Sequence, residues 1–284
     1  MTQAANLGAL GTNAGTTGIL ASTGGGTGTT AGVTGFKNRI INGAMVIDQR
    51  NAGASVTPNN PDYTLDRFRV ATIQNGKFSV QQNAGSVTPP AGFTNYLGAT
   101  SLSAYSVGAS EYFDIGQSIE GFNTADLQWG TANAKTVTLS FWVRSSLTGT
   151  FGGSINNSAY NRNYPYSYTI SAANTWEYKT VTIAGDTTGT WIGATNGIGM
   201  TVWFSIGAGS TVSGTAGTWA STLYLAPTGQ TSVVGTNGAT FYITGVQLEQ
   251  GVTATNFDVR SYGTELQLCQ RYYWKISKTN PYTG

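Results

Sequence analysis

The chain has 284 residues, of which only 9% are charged, and its net charge is +2. This charge excludes a basic nucleic-acid surface, and 39 glycines with 12% aromatic residues fit neither a helical enzyme nor a disordered chain. There is no histidine and only one cysteine, Cys269, which excludes histidine-dependent triads, a transition-metal cage and an internal disulfide framework.

The first predicted element is an extended arm over residues 1–35. This stretch is rich in Gly, Thr and Ala and contains no charged residue before Lys37, so it cannot bury enough surface to offset its backbone entropy. We expect it to become ordered against a partner, although a flexible linker is the alternative. It has no features of a secretory signal, and no stretch of the chain is apolar and long enough to span a bilayer. The candidate anchoring residues of the arm are Leu7, Leu10, Ile19 and Leu20.

Strand patterns follow from Phe36 onward. Segment 136–144 places Val137, Leu139, Phe141 and Val143 on one face, and segment 198–206 does the same with Ile198, Met200, Val202, Phe204 and Ile206. Apolar residues at every second position, separated by turn residues, predict antiparallel strands. We therefore predict an all-β antiparallel β-sandwich or jelly roll over residues 36–275. Further strand-like segments are 64–73, 77–81, 176–183 and 241–248.

The end of the chain has a helical pattern. Thr264 and Gln267 are spaced as a capping box. Apolar residues then recur at helical spacing as far as Tyr273. We predict a short C-terminal helix over 264–274 that packs on the sandwich, followed by a tail over 276–284.

Several polar residues are predicted to hold the fold, because buried polar groups need partners. The adjacent Asp66 and Arg67 are interpreted as a structural ion pair or as buried hydrogen-bond anchors. The full set of fold-holding candidates is Asn42, Asp66, Arg67, Gln117, Glu120, Gln247 and Arg260.

The carboxylates leave two further possibilities open. Asp48, Asp114 and Glu120 are weak candidates for a structural calcium site, since calcium takes oxygen ligands; no other metal and no cofactor is expected. A glycosidase needs only a pair of carboxylates, and Asp62 with Asp66, or Glu111 with Asp114, are close in sequence. Proximity in sequence is common by chance, so we predict a protein without catalytic residues.

Aromatic residues in polar surroundings are the candidates for sugar binding. Trp203 lies on the strand face opposite the apolar row, and Trp129 and Trp219 lie in Gly/Thr-rich segments. Tyr164 and Tyr166 belong to a polar and aromatic loop that begins at Asn161. The alternative is that these rings bridge the two sheets or two subunits.

Several short motifs are spread through the chain: Asn38–Gly43 with Gln49–Arg50, Leu65–Phe68, Gln117–Gly121, Val137–Ser145, Gly185–Trp191, Val246–Gly251, Ala254–Phe257 and Cys269–Tyr273. Together these motifs resemble a domain found in many bacteriophage and prophage virion proteins, of the tail-fibre or carbohydrate-binding-like kind. The resemblance implies a jelly-roll-like sandwich, usually trimeric, on the outside of a virion, with no agreed ligand and no catalytic set.

The resemblance therefore implies a virion surface protein, a fibre or knob subunit. We expect it to be made in the host bacterial cytoplasm, to attach through residues 1–35 to a capsid or tail protein, and to act as a homotrimer that binds host surface polysaccharide. One alternative is a capsid decoration or tail-connecting protein without a ligand, and a minor alternative is a polysaccharide depolymerase.

Overall fold

The computed structural model describes residues 36–275. The predicted arm, with Leu7, Leu10, Ile19 and Leu20, and the predicted tail over 276–284 lie outside the described residues. The chain divides into two units, Met1–Lys37 and Asn38–Gly284. Everything below concerns the second unit.

The second unit is an antiparallel β-sandwich of two sheets, as predicted. The strands and the helix are β1 (Asp62–Tyr63), β2 (Arg69–Thr72), β3 (Phe78–Gln82), β4 (Leu97–Ser101), β5 (Tyr112–Glu120), β6 (Val137–Ser145), β7 (Gly149–Asn156), β8 (Asn163–Ile170), β9 (Glu177–Ile183), β10 (Ile198–Ala208), β11 (Ser213–Gly214), β12 (Ala226–Pro227), β13 (Thr240–Gln250) and α1 (Tyr262–Gln270). Short 3-10 helices occupy Ala84–Ser86, Gly121–Asn123 and Ala125–Leu127. Sheet I has the strand order β1-β2-β5-β10-β7-β8 and sheet II has the order β3-β4-β13-β6-β9.

A single large core lies between the two sheets. Phe141 of sheet II and Phe204 of sheet I meet there with ring centroids 5.0 Å apart. The apolar rows predicted on β6 and β10 face this core, and all of their members are buried except Ile198, which is 39% exposed at the strand end. Successive side chains of each strand point to opposite faces of its sheet, so the apolar rows of the two sheets meet in the core of the sandwich.

One predicted strand is interrupted. Residues 64–68 form a turn rather than a continuous strand over 64–73: Thr64 donates to the carbonyl of Phe68, and Arg67 has φ 71°. Such a left-handed conformation does not fit a strand, so the chain reverses here and re-enters sheet I as β2.

The connection between β10 and β13, residues 209–239, covers part of the outer face of sheet I. Its two short strands, β11 and β12, pair in parallel, and β12 packs against β7 and β8. The packing is close, since a Cβ on Gly152 would lie 2.5 Å from the Pro227 ring. A glycine in β7 thus permits this contact.

Helix α1 begins earlier and ends earlier than the predicted 264–274. Ser261 is the N-cap residue of the helix, so Thr264 is not the cap. The hydroxyl groups of Ser261 and Thr264 lie 2.8 Å apart. The predicted packing on the sandwich is observed: Cys269 is buried together with Ile41 and Ile47. In the described part of the chain, no helix is both long and apolar enough to cross a membrane.

Candidate functional site

An aromatic pair lies on the outer face of sheet II. Since Phe141 and Val143 of β6 face the core, Trp142 between them faces outward. Tyr178 of β9 lies directly opposite Trp142 in the ladder, with ring centroids 5.4 Å apart. Tyr178 is 45% exposed and Trp142 is half-buried, so the pair presents aromatic surface to solvent.

A bulge in β13 brings a second aromatic pair to the same face. The register of β13 with β6 shifts between Thr244 and Gln247, and Gly245 within the bulge has φ 60°. The ring of Phe93 lies against this glycine, because a Cβ there would be 2.6 Å from Phe93 Cζ. Phe93 in turn packs edge-on against Phe257, with centroids 5.2 Å apart. Gly245 thus provides the space for the second pair.

The two aromatic pairs border an open groove of about 320 Å³, which we call the aromatic groove. Small-molecule sites usually span about 300–1,000 Å³ and combine apolar walls with a few polar groups. None of the side chains that line the groove is charged. Besides the four aromatic rings, the lining consists of Ser140, Gly245, Ala254, Thr255 and Asn256.

The polar wall of the groove is held by two buried residues of β13. The carboxylate of Glu249 accepts hydrogen bonds from the Thr255 backbone N–H at 2.8 Å and from its hydroxyl at 2.7 Å. Gln247 donates to Glu249 at 2.8 Å and accepts from the backbone N–H of Asp258 at 2.7 Å. Gln247, one of the fold-holding candidates, thus lies directly behind the wall of the groove.

The tryptophans singled out in the sequence lie elsewhere. Trp129 and Trp219 meet Trp191 in an edge-to-face cluster, with centroids 4.8 to 5.5 Å apart. The indole N–H of Trp129 donates to the Lys135 carbonyl and that of Trp219 to the Ala184 carbonyl. Trp129 is buried in this cluster, whereas Trp191 and Trp219 are only partly buried, so Trp219 keeps some contact with solvent.

The other aromatic candidates are buried. Trp203 and Tyr166 are each 1% exposed, and the Tyr166 hydroxyl donates to the Trp203 carbonyl at 2.6 Å. Tyr164 is 8% exposed and packs against Trp219. Because they are buried, these three rings are not available as the predicted sugar-binding residues: a sugar could stack on them only if the sandwich rearranged.

Asp66 and Arg67 do not pair with each other. Asp66 accepts hydrogen bonds from the backbone and side chain of Gln49, at 2.7 and 2.6 Å. Burial nonetheless raises the pKa of Asp66 above its usual range. The Arg67 guanidinium donates to the Ser118 carbonyl and lies 3.4 Å from the centroid of the Tyr272 ring. The predicted ion pair is therefore wrong, whereas the hydrogen-bond anchor was the correct alternative.

Three of the four further fold-holding candidates, Gln117, Arg260 and Asn42, form bonds within or to residues 38–42, while the fourth, Glu120, bonds to Arg271. Gln117 forms a two-way bond with Ile41, accepting from its N–H at 2.8 Å and donating to its carbonyl at 2.7 Å. Arg260 donates to the Ile40 carbonyl at 3.1 Å. Glu120 accepts two bonds from the exposed Arg271, at 3.0 and 3.1 Å. Asn42, also a candidate, donates to the carbonyls of Ile47 and Asp66. Motifs far apart in the sequence thus meet around residues 38–42.

The possible calcium ligands do not form one site. Asp48 caps its own turn by accepting from the N–H groups of Asn51 and Gly53, and Glu120 is engaged by Arg271. Asp114 is fully buried on sheet I, where burial raises its pKa well above the usual range and the Ser205 hydroxyl offsets only part of this. No three Asp, Glu, Cys or His side chains among residues 36–275 come close enough to hold a metal ion.

Sequence reasoning missed Trp142 and Tyr178. The alternation that placed Phe141 and Val143 in the core also places Trp142 on the outside, so the sequence did contain a signal for the outward position of Trp142. The contribution of Phe93 and Phe257 could not be read in this way, because both lie outside the strands and Phe93 packs against Gly245 within the bulge of β13.

Comparisons with known proteins give fold similarity only. No family model and no curated protein matches the chain. Among solved structures, tailspike protein 4 of bacteriophage CBA120 aligns at 11% identity over 76% of this chain, which corresponds to 22% of that chain, with a TM-score of 0.40. The family 11 carbohydrate-binding module from Clostridium thermocellum aligns at 10% identity over 70% of this chain and 98% of that chain, with a TM-score of 0.35. A CBM4 structure aligns at 16% identity over 74% of this chain and 98% of that chain, with a TM-score of 0.36. At these values the similarity carries no argument about ligand or activity.

Proposed function

We propose that this protein is a non-enzymatic glycan-binding protein and that its ligand lies in the aromatic groove. The observation that carries the proposal is the pair of adjacent rings, Trp142 and Tyr178, on an open sheet face. A pyranose ring has an apolar C–H face that packs on an aromatic ring, while its hydroxyl groups need hydrogen-bonding partners at the edges. Asn256 and the oxygen of the Thr255 hydroxyl, which donates its hydrogen to Glu249, provide groups of this kind beside the rings.

The lining of the groove favours binding over cleavage. Glycoside hydrolysis requires two carboxylates on either side of the scissile bond, and the residues that line the groove include neither Asp nor Glu. Glu249 lies behind the wall, where Thr255 occupies both of its oxygens. The absence of charge in the lining also favours a neutral sugar over an acidic one.

We further propose that the protein acts on the surface of a bacteriophage virion as a fibre or knob subunit. The support comes from the virion-type motifs spread from Asn38 to Tyr273 and from the Gly/Thr-rich residues 1–35, which would attach to a capsid or tail protein. A homotrimer would let several weak glycan sites act together, since linked sites gain avidity without any new contact.

The groove is tested with a glycan array, using the whole protein and two tryptophan variants. Trp142→Ala should lower the affinity for bound glycans about tenfold or more, because the central ring of a site contributes most to binding. Trp274→Ala is the matched control, since Trp274 is 65% exposed and is not part of the groove. Equal binding by both variants and the wild type would refute the proposed site.

The virion role is tested separately by a cryo-EM map of the particle. Density for the sandwich on capsomers or at the tail, continuous with residues 1–35, is the expected result. A particle that lacks the chain would refute the virion role while leaving glycan binding untouched. Particles that lose heat stability without the protein, but adsorb normally, would favour the decoration alternative.

A further inference from the structure

A second cavity adjoins the aromatic groove. It has a volume of about 180 Å³ and shares Phe93 and Phe257 with the groove. Both cavities open to solvent, so the Phe93–Phe257 pair forms a ridge between two halves of one surface depression. The other side chains along this second half are Ala44, Val46, Thr94, Val259, Arg260 and Glu265.

The two halves lie in line across the strands. Tyr178 is on β9, Trp142 on the neighbouring β6 and Gly245 on the next strand, β13. Strands lie about 4.8 Å apart, so this stretch covers about 10 Å, roughly the length of a disaccharide. Beyond β13, the segment that contains Ala44 and Val46 continues the depression, since Val246 of β13 donates to the carbonyl of Gly43. The second cavity thus adds room for at least one more sugar unit.

The second cavity offers no uncompensated charge to a ligand. Its two charged residues, Arg260 and Glu265, form an ion pair at 3.4 Å. Both side chains are largely buried, and each also bonds to the backbone of residues 38–42: Arg260 to the Ile40 carbonyl and Glu265 to the Asn42 N–H. An acidic sugar would therefore meet a cation that is already neutralised, whereas a neutral sugar can pack against Val259, which is 79% exposed.

We infer that the two cavities form one site for a linear, uncharged polysaccharide, which lies across the strands with at least three sugar units in contact. The inference rests on the proposed function, because it assigns the ligand class of the same groove. Since both halves are open, the site accepts an internal stretch of the polysaccharide, not only its end.

The test is the dependence of affinity on ligand length, measured by titration calorimetry with the full chain. The probes are cello-, chito-, xylo- and manno-oligosaccharides of two to six units. We expect affinity in at least one series to rise about tenfold between two and four units and then to level off.

Two valine variants show which half provides this rise. Val259→Arg places a bulky side chain in the second cavity and should abolish the rise, so that tetramers bind like dimers. Val252→Arg is the control, because Val252 is 71% exposed and lines neither cavity. Circular dichroism checks that both variants are folded, and both substitutions are at exposed positions.

The outcomes separate the two proposals. An affinity that is already maximal for the dimer, together with a silent Val259→Arg, would overturn the extended site while the groove itself stands. Equal losses in both valine variants would also overturn it. If Trp142→Ala left the binding of the dimer unchanged, the aromatic groove would fail as well, and no binding in any of the series would overturn both.

Discussion

Each of the two sheets carries a tryptophan on its outer face, yet only one of the two reaches solvent. Trp203 of sheet I is 1% exposed: its ring lies against Gly116, and the Arg69 guanidinium covers it at 4.6 Å from the ring centroid. Trp142 of sheet II remains half-buried at the border of an open groove. An outward position on a strand is therefore not sufficient to expose an aromatic side chain.

Connecting segments also differ between the two sheets in the part of the outer face that they cover. The 209–239 connection packs on sheet I through β12, and residues 84–96 cover the part of sheet II around Tyr242. There, Tyr242 packs against Tyr96 and Trp176, and Phe93 marks the point at which the cover ends. Both neighbouring strands and loops thus determine where an outer face stays open, as is common for surfaces built on rigid sheets.

The largest expected effect is on the covered face. Trp203→Ala should lower the free energy of unfolding by about 3–5 kcal/mol, because it leaves a cavity beneath Arg69. Trp142→Ala should cost less than about 1 kcal/mol, since its ring is partly solvated. Urea denaturation of the two variants measures the contrast. Equal losses would mean that the two faces are equally buried in solution.

The next effect concerns the bulge that shapes the open face. Gly245→Ala should destabilise the protein by about 1–3 kcal/mol more than Gly238→Ala, because its Cβ would collide with Phe93. Gly238 is the matched control: its φ is +73°, and a methyl group there would have no atom within 4 Å. Thermal unfolding and glycan affinity should both separate the pair. Similar stability and affinity in the two variants would show that Phe93 moves freely.

The covered face should also make stability depend on pH. Burial raises the folded-state pKa of Asp114 well above its usual range, so the folded protein keeps a proton that the unfolded chain loses above about pH 4. Stability from this group is therefore complete at low pH. It is lost as pH rises toward the folded pKa, at about 1.4 kcal/mol for each pH unit between the unfolded and folded pKa values. Asp114→Asn should remove this slope. Parallel curves for the variant and the wild type between pH 4 and 8 would contradict the assignment.

The smallest stability effect is expected at the edge of the open face. Tyr178→Ala should change the free energy of unfolding by less than about 1 kcal/mol, because the ring is 45% exposed on the edge strand β9. It should still weaken glycan binding several-fold. Thr180→Ala, on the same strand, is the control. A loss of stability without a loss of binding would place Tyr178 in the fold and not in the site.

Local patterns in the sequence predicted the sheets better than the site. The alternating rows on β6 and β10 identified the core correctly, because burial on one face imposes a period of two. Trp142 could have been found by the same rule. The burial of Trp203 could not, since it depends on Arg69 and Gly116, which lie on other strands. Asp66 and Arg67 are adjacent in sequence, but the turn at residues 64–68 directs them to different partners.

Strand β13 supplies both the floor and the supports of the wall of the aromatic groove. Gly245 lies in the floor of the groove. Two residues further along, Gln247 bonds to Asp258 beside the wall, and four residues further along, Glu249 bonds to Thr255 in the wall. Floor and wall thus form one rigid unit before any ligand arrives, and little loop entropy remains to be lost on binding. Exchange of ligand should therefore be fast and need no closing step, which would suit the virion role proposed above, since a virion must sample many surface polysaccharides before it commits to a cell.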